Sequence, residues 1–500
     1  MSAVRLAAPS SDDEKVLIGL GFRPQRPGRM GLFGNFALSF SAISVLSGPM
    51  TLLGLALATG GPASVTWSWV FVGLMALATG GALAEVTSAH PTSGALYSMA
   101  STLGGSRWGH YTGWFNLIGL VGALAAAPYG VAVILGGWLD LAFGFAPTPE
   151  KTFIIFALVL LLLGVLNMFG ARLVSIVNSV SVGWHVLGAA VIVVALTIVP
   201  GHHQSAGHVF GEFTNGTSRG SPLSVGLLGL LLAQHTLSGY DASAHLSEET
   251  AHARIAAPRG ILYSILVSWI TGFVLVIGLL FAIPDYSGTV NITTGAPPAQ
   301  VFTDALGQSA AAAMLLVVIA QLFCAYACLV SASRMIFAFS GDGALPYARA
   351  WRTVSLRTGT PLNAIWLAVA CASLIALPSL WSTAAYAAVA TINVLGIVPA
   401  YAIPIYLRRR AGGSFEPGPW HLGRWSKPIG WIAVGWAASV TILLCLPGIS
   451  PNRLGPFNYA SVALTMVLTV AWGTWHRNHH TITPEYGTPE ASERLTRDIV

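Results

Sequence analysis

The sequence predicts an all-α polytopic membrane protein of twelve transmembrane helices, on three observations. Its 500 residues are 54% hydrophobic and only 8% charged, where a soluble chain carries about a quarter charged residues. The apolar residues form runs of about 20 or more, long enough to cross a bilayer as a helix. Those runs are continuous instead of alternating, so helices are expected and a barrel is not. Basic residues also gather at every second connection, the asymmetry that sets membrane topology. This composition excludes most soluble enzymes and nucleic-acid-binding proteins, and the net charge of +6 is a matter of topology.

Taken in chain order, residues 1–30 hold Asp12, Asp13 and Glu14 and no apolar signal segment, so they read as a cytosolic tail. Gly, Pro and charge clusters bound the spans at 31–60, 64–88, 107–143, 151–170, 172–199 and 223–250. The remaining six fall at 259–284, 308–340, 362–380, 383–407, 428–448 and 456–476. The third and eighth are long enough to require tilt. A first five-helix unit therefore covers 31–200, an external loop 201–222, a second five-helix unit 223–410, two added helices 411–476, and a tail 477–500. With the tails and the loops after even-numbered spans inside, 21 of the 24 Lys and Arg residues are cytosolic, and Lys151, Arg219 and Arg453 remain outside. Both termini are expected in the cytosol. The Arg-rich, Lys-poor, Ala-rich composition suggests the inner membrane of a bacterium.

Two spans carry the signal of an interrupted helix. Span 1 reads Ser44-Val45-Leu46-Ser47-Gly48-Pro49-Met50-Thr51, and Pro49 removes a backbone donor at mid-membrane. Span 6 reads His235-Thr236-Leu237-Ser238-Gly239-Tyr240-Asp241, with a second Ser-Gly pair near its middle. Matching breaks in the first helix of each half are the pattern of repeat-built transporters, which bind substrate there. In span 1 the amides of Met50 and Thr51, at a positive dipole end, suit a carboxylate, with the Ser44 and Ser47 hydroxyls assisting. In span 6 the carbonyls of Thr236 to Ser238 suit an ammonium group. Asp241 either holds an amine, takes up a proton or caps the second half of span 6.

Further segments follow in a definite order: Ala84-Glu85-Val86 before Pro91-Thr92-Ser93-Gly94, Ser247-Glu248-Glu249-Thr250, and Ser333-Arg334 before Asp342-Gly343. Together with the two breaks they resemble the amino acid–polyamine–organocation superfamily, closest in pattern to its GABA, choline and amino acid permease branch. The resemblance covers about residues 31–410 and implies a LeuT-like inverted repeat of spans 1–5 and 6–10 with alternating access. It also implies a substrate gate at His235 and a substrate contact at Asn393, while a choline- or polyamine-like cation would call on Tyr240 with Asp241. His185 falls where proton-coupled relatives carry a lysine bridging spans 1 and 8, so His185 and Asp241 are the candidates for proton coupling. Glu85, Glu248 and Arg334 are candidates for an inner gate, with Arg29 a further partner for Glu85. Gly341 departs from the arginine usual before Asp-Gly.

The function expected is proton-coupled or exchanging transport of an amino acid or related amine. Choline, ethanolamine or polyamine uptake is the alternative substrate class, and a non-transporting sensor or scaffold the alternative kind of protein. A channel is disfavoured, since no charged ring or carbonyl filter repeats. No Walker motif occurs, so ATP drive is not expected. Neither a metal nor a cofactor is expected: His202, His203 and His208 lie in a loop, and His476, His479 and His480 near the C-terminus. Cys324, Cys328, Cys371 and Cys445 all sit in apolar runs and read as packing residues. Asn215-Gly216-Thr217 and Asn291-Ile292-Thr293 are outward-facing sequons. The expected partners are a small-molecule substrate and the lipid bilayer, with monomer and homodimer both open.

Overall fold

The computed structural model describes residues 30–92, 94–216, 222–290, 297–355, 358–381, 385–445 and 459–478. Residues 1–29 (Arg29 included) and 479–500, together with Ser93, Thr217, Arg219, Arg453 and the 291–293 sequon, lie outside the described residues. Span 1 is two helices, α1 (Leu32–Ile43) and α2 (Gly48–Ala58). They are followed by α3 (Gly61–Ala89), α4 (Leu96–Gly104), α5 (Ser106–Phe143), α6 (Pro149–Asn167) and α7 (Ala171–Ile198). Span 6 supplies α8 (Pro222–Thr236) and the short α9 (Ala242–His245). The rest of the chain forms α10 (Ala253–Ala282), α11 (Pro297–Leu306), α12 (Ala310–Gly341), α13 (Leu362–Ala376), α14 (Ala385–Ala411), α15 (Ser426–Cys445) and α16 (Tyr459–Asn478).

Ten described segments are long and apolar enough to cross a membrane. The protein is therefore an all-α, multi-pass membrane protein. Two expected spans fall outside that ten. Span 6 is cut to a 15-residue helix by its break, and α16 is a separate 20-residue helix. The sequence reading placed a full second half on span 6. Instead, α9 has four residues and passes through a 3-10 turn at Ser247–Glu249. Helices α4 and α11 lie between the expected spans; nine and ten residues with half-polar faces carry no transmembrane signal of their own.

Burial separates an inner set of helices from an outer one. The apolar windows of the spans starting at Leu32, Ser106, Pro297 and Ala388 are 72–83% buried, whereas those starting at Pro149, Arg172, Leu362 and Gly423 are only 28–39% buried. The outer helices present Leu158, Leu161, Leu162, Leu187 and Leu374 to their surroundings, as a lipid-facing surface does. At 38 residues α5 is far longer than a bilayer is thick. It packs most extensively on α14 and α12. Backbones there approach closely, since a Cβ on Gly119 would sit 2.6 Å from the Ile397 amide nitrogen, as small residues permit between membrane helices.

Candidate functional site

The break in span 1 has a definite chemical cause. Ser44 ends α1 in the left-handed conformation, with φ 51° and ψ 67°, a conformation that strains a non-glycine residue by about 1 kcal/mol or more. Pro49 then stands in the first turn of α2, where its missing N–H costs nothing. The left-handed residue is thus Ser44 and not Gly48. Gly48 is small for another reason: a Cβ there would lie 2.5 Å from Thr236 Cγ2 and 3.2 Å from the Ile43 carbonyl oxygen. In span 6 the left-handed residue is Gly239, at φ +92°, and a Cβ on it would meet Ala42 Cβ at 3.3 Å. The two breaks therefore pack against each other.

A cavity lies between them. Gly48 and Thr51 of span 1, His235, Ser238 and Gly239 of span 6, and Asn393 of α14 all line it. Thr236 also lines it, with its hydroxyl turned back to the Leu232 carbonyl at 2.8 Å. Asn393 donates to the Gly119 carbonyl at 2.9 Å. Ser44, Ser47, Met50, Tyr240 and Asp241 are absent from the lining. The expected open amide at Met50 is corrected: it donates to the Ser47 carbonyl at 3.1 Å, and Gly48 N–H closes on Ser44 at 2.7 Å. What α2 offers the cavity is its positive dipole end at Gly48 and the Thr51 side chain.

Asp241 is fully buried, and its side chain makes no capping bond to α9, so the capping role is corrected too. Instead Tyr401 donates to Asp241 Oδ1 at 2.7 Å, Asn116 Nδ2 lies 3.5 Å from Oδ2, and His245 Nε2 lies 3.3 Å from Oδ2. The Tyr401 oxygen also accepts the Gly239 N–H at 3.1 Å, and its ring stacks on Tyr240 with centroids 4.7 Å apart. One tyrosine of α14 thereby braces the unwound backbone of span 6. None of Tyr401, Asn116 and His245 was identified from sequence. Only His245 left a signal there, four residues after Asp241, where side chains share a face.

His185 is also fully buried. Its Nδ1 lies 2.8 Å from the Ser181 carbonyl, which can only accept, so Nδ1 is assigned the proton. Nε2 then accepts from Ser44 Oγ at 2.9 Å, and Ser44 is hydrogen-bonded in turn to Ser47. The imidazole reaches span 1 directly, and span 8 through the Phe323 ring, 6.5 Å away.

The expected inner gate is rearranged. Glu85, 2% exposed, does not meet Arg334 or Glu248; Arg408 Nη2 binds its Oε1 at 3.0 Å and Ser426 donates to Oε2 at 2.5 Å. Arg409 Nη2 lies 3.7 Å from the same Oε2. Glu85 therefore ties α3 to α14 and α15, because the arginines ending α14 reach it first. Arg334 pairs with Glu249 at 3.6 Å and donates to Asn167 at 3.1 Å. The carboxylate facing Arg334 is thus Glu249 and not Glu85.

The protein-family profile described as "Amino acid permease" matches residues 30–472. A rice protein named amino-acid permease BAT1 homolog is 34% identical over 91% of this chain and 92% of its own length. Arabidopsis thaliana amino-acid permease BAT1 is 32% identical over the same shares. Amino-acid permease 2 of Neurospora crassa is 26% identical over 97% of this chain and 92% of its own.

Proposed function

The chain belongs to the amino acid permease family, a family of multi-pass membrane transporters and not of enzymes, and from that premise we propose that it moves an amino acid by alternating access. The substrate sits between the two helix breaks, touched by Gly48, Thr51, His235, Ser238, Gly239 and Asn393, with Ser44 and Ser47 behind them holding the span 1 break. One observation carries this reading: two unwound segments from distant parts of the chain meet across a cavity inside the most buried helices. A packing kink would have closed on itself, since unwound backbone at membrane depth is tolerated where it lines a cavity. The sensor or scaffold reading gains nothing from such a feature.

Coupling is assigned to His185 and Asp241. Protonating His185 at Nε2 turns that nitrogen into a donor, so the Ser44 hydroxyl must reverse and donate to Ser47 instead. Proton occupancy is thereby felt at the strained residue of the span 1 break. Asp241 is linked to the other break through Tyr401 and Gly239. The Arg334–Glu249 pair closes the cytosolic side. Twelve spans, two five-helix halves, cytosolic termini and residence in a plasma membrane complete the proposal, supported by the distribution of basic residues. The same composition supports a bacterial source.

Uptake into proteoliposomes with and without an inward proton gradient tests it. Gradient-stimulated net uptake is expected. Net uptake indifferent to the gradient removes His185 and Asp241 from coupling, and the absence of any flux removes transport.

A further inference from the structure

One face of α12 was passed over by the sequence reading, which gave its cysteines to packing. Gln321, Cys324, Cys328 and Ser331 recur at steps of three, four and three residues, so they share one side of the helix. All four line the cavity between the breaks. They are also deeply buried, at 3%, 8%, 7% and 2% exposed. Gln321 Nε2 is taken by the Ala127 carbonyl at 3.1 Å, but its Oε1 has no partner in the protein. Ser331 Oγ and His235 Nδ1 are likewise without one. Buried polar atoms are almost always satisfied, so three orphans facing one cavity point to a ligand with donors and acceptors of its own.

The charge of that ligand follows from the same lining. Among the described residues that border the cavity there is no aspartate, glutamate, lysine or arginine. Asp241, the nearest acid along the chain, is fully buried and committed to Tyr401, Asn116 and His245. A solute with net charge would enter unpaired, and an unpaired buried charge is heavily penalised. A zwitterion brings its own counter-charge. The lining also includes Leu120, Ala123, Ala126, Ala127 and Ile397, apolar surface for an uncharged side chain.

We propose that the site selects net-neutral amino acids, with Gln321, Ser331 and His235 satisfying the polar groups of the substrate and Cys324 and Cys328 forming part of its wall. The proposal rests on the transport reading above and narrows it, setting aside choline, polyamines and charged amino acids as good substrates.

The test uses the full chain in proteoliposomes, with counterflow of radiolabelled alanine, serine, leucine, methionine, lysine, arginine, glutamate, GABA, choline and putrescine. Net-neutral amino acids should exchange, and net-charged solutes should do so at least about 100-fold less efficiently, since an unpaired buried charge costs about 3–5 kcal/mol. A cationic or anionic solute exchanging as well as the best neutral one overturns the inference and leaves transport standing. Exchange of nothing in the panel overturns transport and the inference together. A second readout does not depend on the binding variants folding. With Cys371→Ser and Cys445→Ser in place, N-ethylmaleimide should modify Cys324 or Cys328, and saturating neutral substrate should slow it about fivefold or more. No modification, or no protection, overturns the assignment of this face. Gln321→Leu and Ser331→Ala should each raise KM about tenfold at unchanged expression, the worth of one lost hydrogen bond, and an unchanged KM in both overturns it.

Discussion

Gly48→Ala is the smallest perturbation that tests whether the two breaks must touch. The added methyl would lie 2.5 Å from Thr236 Cγ2 and 3.2 Å from both Thr236 Oγ1 and the Ile43 carbonyl oxygen. Ordinary carbon–carbon contact is about 3.5–4.0 Å, so the breaks must part by about 1 Å. Thr236 cannot simply swing aside, because its hydroxyl is held by Leu232 at 2.8 Å. Overpacking of this kind costs typically 1–3 kcal/mol. If that cost falls on the conformation in which the breaks meet, transport falls about 5- to 150-fold. Uptake per correctly folded transporter is the assay, with expression and thermal stability as controls. Removing the obstacle should restore the rate: Thr236→Ala on the Gly48→Ala background should recover at least 1 kcal/mol of the loss, read as a coupling energy in a double-mutant cycle. Wild-type uptake by Gly48→Ala, or additive losses with no rescue, would refute the close approach as a requirement for transport.

Three further outcomes are expected. Tyr401→Phe removes the donor to Asp241 and the acceptor for Gly239 N–H, and each buried group left unsatisfied costs about 1–3 kcal/mol; uptake should drop at least tenfold, and an unchanged rate would show that Tyr401 does not brace the break. Glu85→Ala strips Arg408 and Arg409 of a 2%-exposed partner; breaking so buried a pair costs about 3–5 kcal/mol, seen as a lower melting temperature, and an unchanged melting point would count against the tie. His90, just beyond the end of α3, is held down to about 4 by burial and then by the Arg254 guanidinium. Its ordinary value is about 6.5, so the unfolded chain binds the extra proton between those values and stability falls as pH drops from 6.5 towards 4. A His90→Phe variant should flatten that slope, and an unaltered slope would assign it to other groups.

The membrane class and most span boundaries were legible because they rest on apolar run length and basic asymmetry, which are local properties. Proline and glycine announced both breaks for the same reason, since each acts on its own backbone. What the breaks do was less legible. Gly48 reads as a hinge, yet the left-handed residue is Ser44, and the glycine is demanded by Thr236, almost 190 residues away. Tyr401 and Asn116 had no local mark at all, because a lone tyrosine or asparagine in an apolar run gains meaning only from the neighbour it faces. The partners of Glu85 were misjudged because sequence order does not say which arginine of a basic cluster arrives first. The face of α12 repeats Gln321, Cys324, Cys328 and Ser331 along the sequence, but a repeat of small and polar residues reads equally as packing, and only the unsatisfied atoms of Gln321 and Ser331 set it apart.

The central claim concerns where the solute sits, and a cryo-electron microscopy structure of the full chain with a transported amino acid bound tests it most directly. Density for that molecule should lie between residues 44–51 and 235–239, against the α12 face that carries Gln321 and Ser331. Density seated elsewhere, with the cavity between the two breaks left unchanged, would contradict the account.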